Sequence, residues 1–195
     1  MRRVRWALVM ALVMAPLAGD IAGQETAPKP APAPKPEAAP KPAAAGPALV
    51  VETTKGTIEI EMYAADAPKT VAQITALAKR NFYNGLRIHR VEPGFVVQFG
   101  DPLTRDMTKR SLWGTGGSGR VIGAVETKRT HRLGSVAMAH AGDPAKADSQ
   151  MYILLRNSAT ALDGKYAVFG QVVTGMDVVQ TIAVGDMIRR VSVKP

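Results

Sequence analysis

Many short β-leaning runs broken by turn residues, and only two stretches of helical periodicity, predict an all-β barrel or sandwich with no internal repeat. A third observation sets the scale. A chain of 195 residues with 46% hydrophobic residues is long enough for one packed domain with appendages and too short for two large ones.

The elements follow in order from residue 49. Residues 49–53 and 57–63 alternate apolar and polar side chains around Lys55 and Gly56, the pattern of a hairpin. Pro68 opens a helix where its missing N–H does no harm, Val71, Ile74, Leu77 and Ala78 give it one apolar stripe, and it ends before Asn84 and Gly85. Strands are expected over 86–91 and 95–99, with Glu92, Pro93 and Gly94 as the turn between them. Residues 101–123, with Gly114, Gly116, Gly117, Gly119 and Gly123, are too irregular for either regular structure, and loops this long in a compact domain usually have a job. Further strands are expected over 135–139, 151–155 and 166–173. A short helix over 176–183 should turn Val178, Val179 and Ile182 inward, and a last strand over 187–193 closes the chain.

The first 48 residues belong to no core. Arg2, Arg3 and Arg5 precede an apolar run over 6–18 that ends in small residues, which reads as a secretory signal peptide over 1–23, cleaved somewhere within 18–24. The run is shorter than the about 20 residues of a spanning helix, and Asp20 interrupts its extension. Residues 24–48 are dominated by Ala, Pro and Lys, and prolines this dense fix φ and delete amide donors, so an extended, disordered polyproline-type linker is expected. Lys29, Lys35 and Lys41 can touch anionic envelope polymers, or the segment is a solvated tether without a partner. These readings make the protein exported, periplasmic or extracellular, with its domain over 49–195.

Composition excludes several chemistries. With no cysteine there are no disulfides, thiolate metal sites or cysteine nucleophiles. The net charge of +9 is spread over the chain and makes no aromatic-interleaved basic stripe, so a nucleic-acid partner is not expected. His89, His131 and His140 lack ligand spacing, so no metal is expected; His89 neighbours Arg90 on a strand and should face the other side, and His131 sits in a basic stretch. The glycines of 114–119 suggest a phosphate cradle, yet no Gly-Lys-Ser/Thr follows. Asp163 precedes Gly164 and reads as a turn residue. No cofactor is implied, and a monomer is expected.

The chemistry lies in residues 90–101, which run Arg90, Val91, Glu92, Pro93, Gly94, Phe95, Val96, Val97, Gln98, Phe99, Gly100, Asp101. Alone, Arg90 between apolar neighbours would be a solvated strand position and Phe95 a core residue, whereas Gln98 on an interior strand needs partners. Together they resemble the catalytic strand of the cyclophilins: Arg, two variable positions, Pro-Gly-Phe, an apolar pair and Gln, then Gly and Asp. Gly-Thr-Gly-Gly at 114–117, residues 135–142, Ser149 with Gln150, and Leu-Asp-Gly-Lys-Tyr-Ala-Val-Phe-Gly at 162–170 follow in that family's order. The resemblance covers 49–193 and implies an eight-stranded antiparallel barrel capped by two α-helices, and prolyl cis/trans isomerase activity.

It also implies roles. Arg90 would stabilise the twisted amide, with Phe95 and Gln98 beside it as catalytic residues. Phe95, Val96, Tyr152 and Leu162 would form the proline socket, with Met138 and Phe99 behind. Gln98, Gln150 and the main chain of Ala139, His140 and Ala141 would hold the residue before proline, and the Tyr166 hydroxyl would sit at the rim. The chain departs from cyclosporin-binding members in having Ala161 for Trp, Tyr166 for His, His140 for Asn, Val96 for Met and Tyr152 for Phe. Two functions stay open at this point, an isomerase acting on extended segments of exported proteins and a module of the same fold that binds such segments without turnover; a third, an interaction module displayed on a proline-rich tether, would also account for the linker.

Overall fold

The computed structural model describes residues 46–195. The expected signal peptide and nearly all of the expected linker lie outside the described residues. The chain forms β1 (Ala48–Thr53), β2 (Thr57–Met62), α1 (Pro68–Lys79), β3 (Arg90–Glu92), β4 (Val96–Phe99), β5 (Ser135–Met138), β6 (Met151–Leu154), β7 (Val168–Thr174), α2 (Met176–Thr181) and β8 (Ile188–Lys194). The eight strands make one sheet in the order β3-β4-β6-β5-β7-β2-β1-β8, and every pairing is antiparallel.

The sheet curls, helped by register shifts at Glu52/Thr53, Glu59/Ile60 and Val136/Ala137, each of which adds local twist. Its end strands β3 and β8 are joined through the residues that lead into them. Ile188 donates to the Leu86 carbonyl (2.8 Å), Gly85 to that of Ile188 (2.8 Å) and Ile88 to that of Asp186 (2.9 Å). This irregular seam is why the expected strand over 86–91 is cut to Arg90–Glu92. Glu92, expected in the turn, is the last residue of β3 and pairs with Val96. These bonds bring the two ends of the curled sheet together at one seam.

Strand alternation sorts side chains between two faces. The inner face carries Leu49, Ile60, Val97, Phe99, Met138, Ile153 and Phe169, which meet Val71, Ile74 and Leu77 of α1 and Val179 of α2 in one core. Burying each such side chain contributes about 1.5 to 3 kcal/mol. Pro68 stands in the first turn of α1, as expected, but Ala67 before it offers no side-chain cap. Glu126, from the strap after the glycine-rich loop, supplies it instead: its two carboxylate oxygens accept from the main-chain N–H groups of Lys69 (3.0 Å) and Thr70 (2.9 Å). The second helix ends two residues earlier than expected, with Ile182 still buried at its C-terminus.

Candidate active site

The outer face of the central strands carries a second apolar cluster, built on Val96, Ala137, Tyr152, Leu154 and Val168. Phe95, Ala139, Leu162 and Tyr166 pack against it from loops. Across this face Arg90 pairs with Gln98, Gln98 with Tyr152, and Tyr152 with Ala137. Directly opposed residues share a face, so three neighbouring strands carry the charged, amide and aromatic groups to one place.

A groove of about 330 Å³ opens there. Phe95, Val96, Tyr152 and Leu162 give it apolar walls, Arg90 and Gln98 stand along one side, and Ala139, His140 and Tyr166 along the other. The Tyr166 ring stacks on that of His140 (4.3 Å between centroids) and meets Tyr152 edge-on (5.8 Å). The His140 Nε2 bonds to the Lys165 carbonyl at 2.9 Å. A second cavity of about 550 Å³ adjoins the first and shares Gln98, Ala139 and His140 with it; Ala141, Gln150, Lys146, Asp148 and the glycine-rich loop complete its lining.

Met138 is the exception among the expected site residues. It is fully buried on the inner face, because the alternation that turns Ala137 outward turns Met138 into the barrel, so it supports the sheet and does not line the groove. Phe99 is likewise an inner residue.

The guanidinium of Arg90 is held on two sides. Its Nε and Nη2 donate to one Glu92 oxygen (2.9 and 2.6 Å), and Nη1 donates to Gln98 Oε1 (3.0 Å). The Gln98 amide then donates to Gln150 Oε1 (2.9 Å), and the Gln150 amide to the carbonyls of Gly114 (2.9 Å) and Gly116 (2.8 Å). The need of the Gln98 amide for partners is thus met by a chain of side chains. The guanidinium also lies 5.9 Å from the centroid of the Phe95 ring, and that of Arg156 lies 6.0 Å from the same ring.

The glycine-rich loop cradles carboxylates of its own chain. Gly114 and Gly116 donate their main-chain N–H groups to Asp101, which is fully buried, while Ser118 and Gly119 donate to Asp148. A Cβ at Gly117 would stand 2.6 Å from Asp148 Oδ2, and one at Gly116 would overlap Asp101, so both positions need glycine for close approach. Gly100, at φ 108°, lets β4 turn into Asp101.

Three polar groups of the site were not legible as such. Glu92 reads as a turn residue and Arg156 carries no motif, and nothing in the sequence pairs them with Arg90 and Phe95. His131 read as part of a basic stretch; its ring is wholly buried and bonds to Asp163 and Tyr152. Asp163 does sit at a turn. Burial alone would push its carboxyl up, but the ring and main-chain N–H of His131 outweigh that and hold it below the usual carboxylate range. Burial, the Tyr166 hydroxyl and Asp163 push the Tyr152 hydroxyl well up, so it stays protonated. His89 packs under Gly114, and burial pushes its imidazole down, a shift that Asp101 and Gln150 partly oppose and Arg90 adds to. Among the described residues no three His, Asp or Glu side chains gather as metal ligands would.

The sequence and the fold resemble those of known proteins. The family described as cyclophilin type peptidyl-prolyl cis-trans isomerase/CLD matches residues 48–195. A peptidyl-prolyl cis-trans isomerase of Helicobacter pylori is 37% identical over 145 residues, covering 72% of this chain and 83% of that protein. Peptidyl-prolyl cis-trans isomerase B of Bacillus subtilis is 39% identical over 140 residues, covering 70% and 90%. A crystal structure of a Cryptosporidium parvum cyclophilin type isomerase, also solved in the presence of the dipeptide Ala-Pro, superposes with a TM-score of 0.65 at 23% identity, covering 76% of this chain and 97% of that one. With the match running the full length of the barrel and the relatives aligned over most of their own length, the chain belongs to the cyclophilin-type peptidyl-prolyl cis-trans isomerases.

Proposed function

We propose that the outer groove turns Xaa-Pro bonds by offering Arg90 to the twisted amide. Rotation about a prolyl bond faces a barrier of ~18 to 20 kcal/mol from C–N double-bond character, and no bond need break to cross it. At the top of the barrier the prolyl nitrogen regains its lone pair and becomes a hydrogen-bond acceptor. A fixed donor there binds the transition state better than the planar ground state. The observation that carries the reading is the Arg90 fork: Glu92 and Gln98 hold it at the mouth of an apolar groove, and each terminal nitrogen keeps an N–H unused by these partners.

The proline ring sits among Phe95, Val96, Tyr152 and Leu162. The chain before proline runs towards Gln98, Gln150 and the main chain of 139–141, where the second cavity takes its side chains, and the Tyr166 hydroxyl donates to a substrate carbonyl at the rim. No proton is transferred, so the high Tyr152 pKa suits its part as an apolar wall. The substrates are proline-containing segments of unfolded or extended exported proteins, met outside the cytoplasm by a monomeric enzyme with no nucleic-acid partner. The signal-like residues 1–23 and the proline-rich 24–48 support that setting.

Two measurements test it. A coupled prolyl-isomerisation assay should lose most of its turnover in Arg90→Ala. A fusion of residues 1–30 to a reporter active only outside the cytoplasm should gain activity, and a silent fusion refutes export.

A further inference from the structure

We propose that His131, which no substrate touches, is a positioning residue that sets the width of the proline socket. The inference rests on the reading of the groove given above. Two of the socket's walls come from separate parts of the chain. Tyr152 stands on β6, whereas Leu162 and Tyr166 stand on the segment 159–166 that follows it.

One buried imidazole joins these parts. The His131 main-chain N–H and ring Nδ1 both meet Asp163 Oδ1, at 2.7 and 2.8 Å, and Nε2 meets the Tyr152 hydroxyl at 2.8 Å. The ionised carboxylate only accepts, so Nδ1 carries the proton. In the neutral ring Nε2 is then an acceptor, and the Tyr152 hydroxyl, kept protonated by its surroundings, donates to it. The two rings lie nearly parallel, 7° apart, at 6.0 Å. Asp163 follows Leu162 directly, so the position of the imidazole fixes both the floor and the wall.

Beyond the packing of Leu162 and Tyr166 on the outer cluster, few hydrogen bonds tie the wall to the sheet. Within 159–166 the main-chain bonds run from Leu162 to Ala159, Asp163 to Thr160, and Lys165 and Tyr166 to Leu162, which stiffen the segment without attaching it. Its ends are held by the Arg132–Ser158 bridge and by Met138 donating to the Ala167 carbonyl. Between them the side-chain ties are His131 to Asp163 and His140 to the Lys165 carbonyl. Without the first, Leu162 is free to move away from Tyr152 and the socket widens.

A wall that touches the proline ring in ground and transition states alike supplies uniform binding. Its loss raises KM more than it lowers kcat, and it weakens discrimination by ring size. The test compares peptides carrying proline or its six-membered homologue, pipecolic acid, in wild type, His131→Ala, Asp163→Ala, Asp163→Asn and Leu162→Ala. Both alanine variants of the pair should raise KM by roughly three- to tenfold and lower the proline-over-pipecolate preference at least about threefold, with kcat changed less than about twofold. Their double variant should be no worse than Asp163→Ala alone, since that change already removes both bonds from His131, whereas His131→Ala keeps the main-chain N–H bond to Asp163. Asp163→Asn keeps an acceptor oxygen and should recover most of the preference. A role in stability alone would lower the melting temperature and leave the ring-size preference at its wild-type value. Leu162→Ala gauges the socket itself. If it leaves KM unchanged, the socket reading falls and this inference with it; if it raises KM while folded His131→Ala keeps wild-type KM and preference, only the inference is overturned. Should His131→Ala fail to fold, Asp163→Ala, whose side chain is partly exposed, decides on the same criteria.

Discussion

Replacing Arg90 by alanine would remove the cation proposed to meet the prolyl nitrogen, and the hydrogen bonds it makes in the structure set the size of the expected loss. Of the five guanidinium N–H groups, Glu92 and Gln98 engage those on Nε, Nη2 and Nη1 already described, leaving one on each terminal nitrogen for the substrate. A hydrogen bond from a charged donor is worth about 1.5 to 3 kcal/mol. The side chain is 43% exposed, so water competes and the lower figure applies to each bond. Two such bonds give about 3 kcal/mol, or roughly a 150-fold fall in kcat/KM. Because they form fully only at the twisted amide, kcat should fall nearly as far as kcat/KM. The fold should survive, since an exposed ion pair contributes about 0 to 1 kcal/mol. Arg90→Lys keeps the charge but has no fork to hold Glu92, Gln98 and substrate together, and should recover less than about tenfold. The assay is coupled prolyl isomerisation, with circular dichroism to confirm folding. An alanine variant within about threefold of wild type would refute the reasoning.

Ala161 lies exposed on the turn beside Leu162, where cyclosporin-sensitive relatives of the family carry Trp, so the wild type should bind cyclosporin weakly. Ala161→Trp should gain on the order of 2 to 3 kcal/mol, roughly thirty- to over a hundredfold in affinity by titration, with short-peptide turnover changed less than about threefold; nanomolar binding by wild type would contradict this. His89 gives a pH signature. Its folded pKa is lowered from an unfolded value of about 6.5, so between the two the unfolded chain binds more protons, and stability is full above about pH 6.5 and declines as pH falls through the folded value. His89→Gln should flatten that limb of the melting-temperature curve, and equal slopes for the two proteins between pH 7 and 5 would count against it. Removing residues 1–45 should leave melting temperature and peptide turnover nearly unchanged, because among the described residues the sheet begins at Ala48 and the proline-rich composition before it builds no core; a loss of several degrees would show that the segment docks on the barrel.

What the sequence made legible was local. Alternation over 49–63, the stripe from Val71 to Ala78 and the turn at Pro93 and Gly94 are written in neighbouring residues, and their elements stand within a few residues of expectation. The exceptions arise where a distant segment decides. The strand expected from residue 86 is interrupted because residues 85–88 must close the seam against 185–188, and the cap of α1 comes from Glu126, 56 positions from Thr70. The same division holds at the site. The Arg90 motif lies within a single stretch and was readable, while Glu92, Arg156 and His131 take their meaning from partners on other elements or from side-chain direction. Met138 was misplaced for a related reason: a motif fixes which residues are adjacent, but the phase of the strand decides which face each one takes.

The amides between Arg90 and the glycine-rich loop have a handedness. Each nitrogen points away from the guanidinium and each oxygen towards it, from Gln98 through Gln150 to the carbonyls of Gly114 and Gly116. Neither amide can flip alone, because a flip would set donor against donor at one end and acceptor against acceptor at the other. The chain is therefore a polarised rod spanning the partition between the two cavities. A residue that enters the second cavity and draws the loop away from Gln150 would loosen the rod at its far end, and Gln98 would lose the partner that aims its oxygen at Arg90. Occupancy beside the reacting bond would thus be communicated to the guanidinium proposed to act on it, and peptide length should then alter the rate at a prolyl bond whose own chemistry is unchanged.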